Sequence, residues 1–248
     1  MSTHLGTPRR VLTALTVAAA LVVALAGCND DGNDLSTQGA TTTEAPAGTP
    51  AAPGTAAGGG ELTPDELSTA LWPFVDTDVR YGDPVDAATG FAVDYVGFVD
   101  PVVGEFQQGD SRSGEVEVRP QENGPVTTVF VRQLGTDDTW WVLGAATAEI
   151  VFTLPAVGSA IDTPLAVAGE ALAFEGNVQV EVRGDGSVEP IGESFVTGGG
   201  DVMRPFTGTI EFQSPQGGWG AVMGFTLSAE DGRVWQATVF RVGFIGGD

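Results

Sequence analysis

Lysine is absent from this 248-residue chain, and histidine and cysteine occur once each, as His4 and Cys28. His4 precedes a hydrophobic run at residues 11–25, and Cys28 follows that run directly. If the first 27 residues are removed, the remainder contains no histidine, no lysine and no second thiol to pair with Cys28. Ser-His-Asp and Cys-His nucleophile systems are thereby excluded. So are zinc sites built from His and Cys, Schiff-base lysines and the phosphate-binding lysine of a P-loop. The chemistry left open is that of carboxylates: paired Asp and Glu for glycoside hydrolysis, or oxygen ligands for calcium. No internal disulfide can form, so the fold must be held by its core.

Arg9 and Arg10, the apolar run and the small residues Ala26 and Gly27 together read as a secretory signal ending at residue 27. The run is about 15 residues, shorter than the roughly 20 a membrane-spanning helix needs. Leu25-Ala26-Gly27-Cys28 resembles the lipobox of bacterial lipoproteins. The resemblance implies a diacylglyceryl thioether on Cys28, further acylation of the freed amino group, and residence on the extracytoplasmic face of the bacterial cell membrane. Two or three acyl chains hold stably where one binds marginally.

Beyond residue 27 the chain carries eight arginines against 33 acidic residues, a formal net charge of −25. Such a balance argues against a nucleic-acid partner and against docking on anionic lipid through a basic patch. Membrane attachment is therefore expected to rest on the lipid at Cys28.

Residues 28–60 combine Asn29-Asp30-Asp31-Gly32-Asn33-Asp34 with a Thr, Ala, Gly and Pro mixture ending in Gly58-Gly59-Gly60. They read as a disordered linker after the lipidated cysteine, with an r.m.s. span of about 30 Å for a flexible coil of this length. Thr63-Pro64-Asp65-Glu66 has the form of a capping box and opens a short helix to about Trp72. Asp83-Pro84 opens a second helix, with Val85, Ala88, Ala92, Tyr95, Val96 and Val99 on one face. Strands are expected at 114–119, 126–134 and 139–152, which makes residues 61–150 a small α+β domain.

The C-terminal part, 151–248, reads as seven short strands at 150–154, 165–168, 178–183, 191–196, 206–212, 221–227 and 235–244, the pattern of a β-sandwich. A fragment from about residue 153 onward is expected to fold alone. In this region Pro155, Gly158, Ile161, Pro164-Leu165, Val167 and Gly169 form one strand-turn-strand pattern. Ala171, Phe174-Glu175-Gly176, Val178, Val180 and Val182 form the next, and Phe206-Thr207-Gly208 with Phe212 a later one. Over about 155–245 this combination resembles the immunoglobulin-like domain of bacterial spore germination proteins. The resemblance implies an immunoglobulin-like β-sandwich on an envelope lipoprotein and brings no catalytic residues with it. The fold expected for the whole is an α+β N-terminal module followed by this all-β sandwich.

Two residues stand out as candidate contacts. Glu175 lies between an aromatic residue and a glycine at a tight corner, where its carboxylate is expected to accept backbone N–H bonds and fix the turn. Trp219, flanked by Gly217-Gly218 and Gly220, is either a contact residue at a loop tip or a ring folded back over the sandwich end. Asp76, Asp78, Asp83 and Asp86 lack EF-hand spacing and read as solvated acids and helix caps. No catalytic residue, metal site or cofactor is expected. The expected function is that of a non-enzymatic, lipid-anchored envelope module that binds a protein or glycan. A carboxylate-dependent cell-wall glycan hydrolase and a calcium-dependent adhesion module are the alternatives.

Overall fold

A computed structural model describes residues 61–246. The hydrophobic run, Cys28 and the 28–60 linker lie outside the described residues.

Helix is scarce. α1 (Pro64–Leu67) forms on the expected capping box: Thr63 Oγ1 accepts from the Glu66 N–H, and the Glu66 carboxylate accepts from the Thr63 N–H at 2.8 Å. It stops at Leu67 rather than near Trp72. The chain then turns to pair with a strand, and the Leu71 and Trp72 N–H groups both donate to the Val142 carbonyl. α2 (Pro84–Gly90) is capped by Asp83, whose carboxylate accepts from Val85 and Asp86. It continues as a π-helical segment, Phe91–Val96, ended by Gly97 at φ 91°. The wider turn puts Phe91, Ala92, Tyr95 and Val96 all into the core, with the Phe91 and Tyr95 rings stacked 5.2 Å apart.

Twelve strands follow among the described residues: β1 (Val102–Gln108), β2 (Ser113–Arg119), β3 (Thr127–Leu134), β4 (Thr139–Ala146), β5 (Ile150–Leu154), β6 (Ala160–Ile161), β7 (Leu165–Ala171), β8 (Asn177–Gly184), β9 (Pro190–Thr197), β10 (Arg204–Ile210), β11 (Trp219–Leu227) and β12 (Val234–Phe244). They build two sheets. The long one runs β1-β2-β3-β4-β12-β11-β8-β9, with β6 parallel against β12; the short one runs β10-β7-β5.

Two cores lie on opposite faces of the long sheet. On one face, α2 and the π-helical segment cover Val116, Val118, Val129, Val131, Val142, Ala221, Met223, Ala237 and Val239. On the other, the short sheet supplies Ile150, Leu165, Val167, Phe206 and Ile210 against Val178, Val180, Val182, Val222, Phe240, Val242 and Phe244. Each fully buried valine is worth about 1.5–3 kcal/mol. β11 and β12 belong to both cores, Ala221, Met223, Ala237 and Val239 facing the helices and Val222, Phe240, Val242 and Phe244 the short sheet. This is why they read as near-continuous apolar runs rather than as clean alternation.

This arrangement corrects the expected organisation. The molecule is mostly β, and the helices form a small cover rather than one layer of a separate α+β domain. The expected boundary at 150/151 falls inside a shared sheet and a shared core: β4 is joined to β12 through Val239 and Ala145, while β5 goes to the short sheet. The connection between β4 and β5 is bonded to β12, with Thr147 buried and Glu149 half-buried. Gln236 accepts from Thr147 Oγ1 (2.8 Å) and donates to Glu149 (2.7 Å), and Thr238 Oγ1 donates to the Ile150 carbonyl (2.7 Å). A linker would not carry such a network.

Trp140 and Trp141 face opposite ways, as a strand requires. Trp140 packs edge-on to Phe106 under the helices. Trp141 is fully buried, because Ala70 and Leu62 close over it and Arg80 lies 5.1 Å from its ring.

Candidate groove at the end of the long sheet

Where β8, β11 and β12 reach one end of the long sheet, α1 and the loop after it lie across the helix-facing side. Arg241 of β12 stands at that crossing, 4% exposed. Its Nη1 and Nη2 both donate to the Asp185 carboxylate, the second at 2.7 Å, and Nη2 also donates to the Leu67 carbonyl at 2.9 Å. One guanidinium thus ties β12 to the β8–β9 turn and to the end of α1, as its fork of five donors allows. α1 is held from its other end too, since Glu66 accepts from the Gly135 N–H at 2.9 Å. The Thr63 N–H first, and then this second bond, lower the pKa of the Glu66 carboxyl.

Trp219 opens β11 opposite Gly243. Its ring lies against Gly243, where a Cβ would approach to 3.3 Å, and the Arg241 guanidinium carbon is 5.9 Å from the ring centroid. Of the two placements considered for Trp219, the structure adopts the folded-back one, half-buried on the face turned away from the short sheet. The ring forms one wall of an open groove of about 710 Å³, with Pro64, Val75, Pro190, Ile191 and Pro215 as further apolar lining. Asp185 and Glu189 lie in the same groove, and the Asp185 side chain keeps 43% of its exposure despite its bonds to Arg241. A smaller hollow of about 260 Å³ adjoins it through Val75 and Asp185 and adds Phe74 and Asp76.

Glu175 is elsewhere and behaves differently from expectation. Its turn is closed by backbone bonds, Gly176 N–H to Ala173 and Gly198 N–H to Gly176. The exposed Glu175 carboxylate accepts no hydrogen bond among the described residues, and its backbone is left-handed at φ 56°. The Phe-Glu-Gly signal marked the corner correctly, but the backbone closes it without the carboxylate. Glu175→Gln is therefore expected to change stability by less than about 0.5 kcal/mol. Glu175→Gly should raise it by roughly 0.5–1 kcal/mol by relieving the left-handed residue. Thermal melts of the two variants test this, and a clear loss in the glutamine variant would restore the carboxylate to the turn.

Arg241 and Asp185 were not singled out by sequence reasoning. An arginine inside an apolar β12 run was the available signal, since a cation there has to find a carboxylate. Asp83 is a helix cap, as expected. Among the described residues, no group of three or more His, Cys, Asp or Glu side chains is arranged to hold a metal ion.

Residues 149–233 match the immunoglobulin-like domain of bacterial spore germination. No curated protein and no solved structure matches the chain. The matched segment ends one residue before β12, yet in this chain β12 supplies Phe240, Val242 and Phe244 to the sandwich core. The groove straddles the same limit. Asp185, Glu189 and Trp219 lie within the matched segment, whereas Pro64, Val75 and Arg241 lie outside it.

Proposed function

We propose that this protein is a lipid-anchored component of the bacterial cell envelope that acts by recognition, without catalysis of its own, at the Trp219 groove. The observation that carries this reading is the construction of the groove. A flat aromatic ring lies against Gly243 with the buried Arg241 guanidinium beside it, that guanidinium holds the Asp185 carboxylate, and the exposed Glu189 lies in the same groove. Rigid aromatic anchors with pre-set polar neighbours are what binding sites need, because little freedom remains to be lost on association.

The lipobox-like Leu25-Ala26-Gly27-Cys28 supports attachment through Cys28; among the described residues no helix is long and apolar enough to cross a membrane. The tether of residues 28–60 would hold the groove clear of the lipid surface.

Cys28→Ala is expected to move the full-length protein from the detergent phase to the aqueous phase on fractionation and to block lipidation-dependent processing. A mutant that stays with the detergent as wild type does would remove the anchor from the proposal.

A further inference from the structure

We propose that the groove takes an extended, cationic polypeptide segment, with an arginine or lysine side chain on its carboxylates and flanking apolar or proline residues on Trp219. This rests on reading the groove as a recognition site. The argument starts from hydrogen-bond inventory. The groove and the adjoining hollow present three carboxylates, Asp76, Asp185 and Glu189. Their lining side chains offer as donors only the Ser187 hydroxyl and the Trp219 indole N–H. Such a surface is complementary to a ligand rich in donors and poor in acceptors. A guanidinium has five N–H donors and no acceptor, and an ammonium three donors and none. A neutral sugar, whose hydroxyls accept as well as donate, would leave its own acceptors short of partners here, and an anion would be repelled.

Charge balance points the same way. Of the two cations beside the groove, Arg241 is buried beneath Asp185 and already paired, and Arg80 spends its guanidinium on the Val75, Thr77 and Val79 carbonyls. The Asp76 and Glu189 carboxylates accept no hydrogen bond among the described residues and so stay open to a cationic ligand. The Asp76 carboxylate comes within 3.2 Å of where a Cβ on Gly186 would sit, which places it beside Asp185 across the bare Gly186 backbone. The walls set the shape of the occupant. Pro64, Pro190 and Pro215 with Trp219 offer flat apolar surfaces along an open trough, which suits an extended chain better than a globular tip.

The test uses the full-length protein and a fluorescently labelled nonapeptide of alternating proline and arginine, with its proline–glutamate counterpart and a neutral chitin oligosaccharide as comparison probes. The arginine peptide should bind, and more weakly as salt is raised. Asp76→Asn with Glu189→Gln should weaken it about tenfold, the equivalent of roughly 1.4 kcal/mol, and Trp219→Ala at least fivefold. Asp76 and Glu189 are exposed, so the first variant keeps its fold. Glu105→Gln with Glu115→Gln, on β1 and β2 away from the groove, should leave affinity within twofold. Equal weakening by that distant pair would mean general attraction to an acidic protein and would overturn the proposal. Binding of the oligosaccharide or the acidic peptide that depends on Trp219, without binding of the arginine peptide, would keep the groove as a recognition site and overturn its assigned ligand class. If no probe's binding responds to Trp219→Ala, the recognition reading itself fails.

Discussion

A fragment spanning residues 153–248 will not unfold cooperatively in urea. It retains the strands from β6 to β12, but loses most of β5 and the whole cover of the helix-facing side. Ala221, Met223, Ala237 and Val239, buried under α2 and the π-helical segment in the full chain, would face water, and β12 would lose β4 along one edge. At about 1.5–3 kcal/mol for each large apolar side chain, Met223 and Val239 alone lose roughly 3–6 kcal/mol, and the two alanines and half-buried Phe225 add to it, a large part of the about 5–15 kcal/mol that an ordinary domain has in all. Circular dichroism should give a sloping, non-sigmoidal transition, and the fragment should bind a hydrophobic dye. A longer fragment from residue 148, which restores β5, should behave the same way, because the uncovered face is the cause. A sharp transition in either fragment would show that the sandwich sustains itself and that the helical cover is an accessory.

Glu181→Ala should cost about 3 kcal/mol, at the lower end of what breaking a buried ion pair costs because Glu181 retains some exposure. Arg183 projects from β8 toward the helices, its side chain 9% exposed. It bonds Glu181, donates to the Tyr95 carbonyl and stacks 4.9 Å from the Tyr95 ring. Without Glu181, a guanidinium would remain buried with a carbonyl and a ring face as its remaining neighbours. Burial holds the pKa of the Tyr95 phenol far above its usual value, so the phenol supplies no negative charge in compensation. For a chain of this size the cost corresponds to a fall in Tm of roughly 6–12 °C. The double variant Glu181→Leu with Arg183→Met should recover most of it, since matched apolar replacement of a buried pair is often neutral. Glu117→Ala, which breaks a partly exposed pair with Arg119, should cost less than about 1 kcal/mol. If Glu181→Ala proves as mild as Glu117→Ala, Arg183 has another means of compensation.

Most strand positions were legible because their local signals and their final burial agree. Val178, Val180 and Val182 alternate with polar residues and all three enter one core. The Thr63 and Asp83 caps formed because their partners lie two or three residues away in the chain. β1 escaped notice because it is an edge strand, largely exposed, with no apolar alternation to mark it. The expected strand at 139–152 is two strands, since the chain leaves the long sheet after Ala146 and joins the short one at Ile150. Nothing local to Thr147 or Glu149 announces that change; their partners are Gln236 and Thr238, 87 to 91 residues away.

The groove divides along the same line. Trp219 was visible as a large ring among glycines, and the acidity of the chain was plain from composition. That Trp219 would meet Arg241, Asp185 and the end of α1 depended on pairings between distant segments.

By itself the sequence determined the lack of lysine and the single histidine and cysteine, the strand-rich character of the C-terminal part, the caps of both helices and the resemblance over the immunoglobulin-like segment. These follow from residue types and from spacings of a few residues, where short-range sterics and hydrogen bonding decide the outcome. Only the tertiary structure decided that the two expected domains share one sheet, that Glu175 leaves its turn to the backbone, and that a groove lined by carboxylates forms beside Trp219. Each of those depends on which distant strands lie side by side. That choice is governed by how much apolar surface β11 and β12 can bury on both faces at once, a property of the assembled chain and not of any one segment.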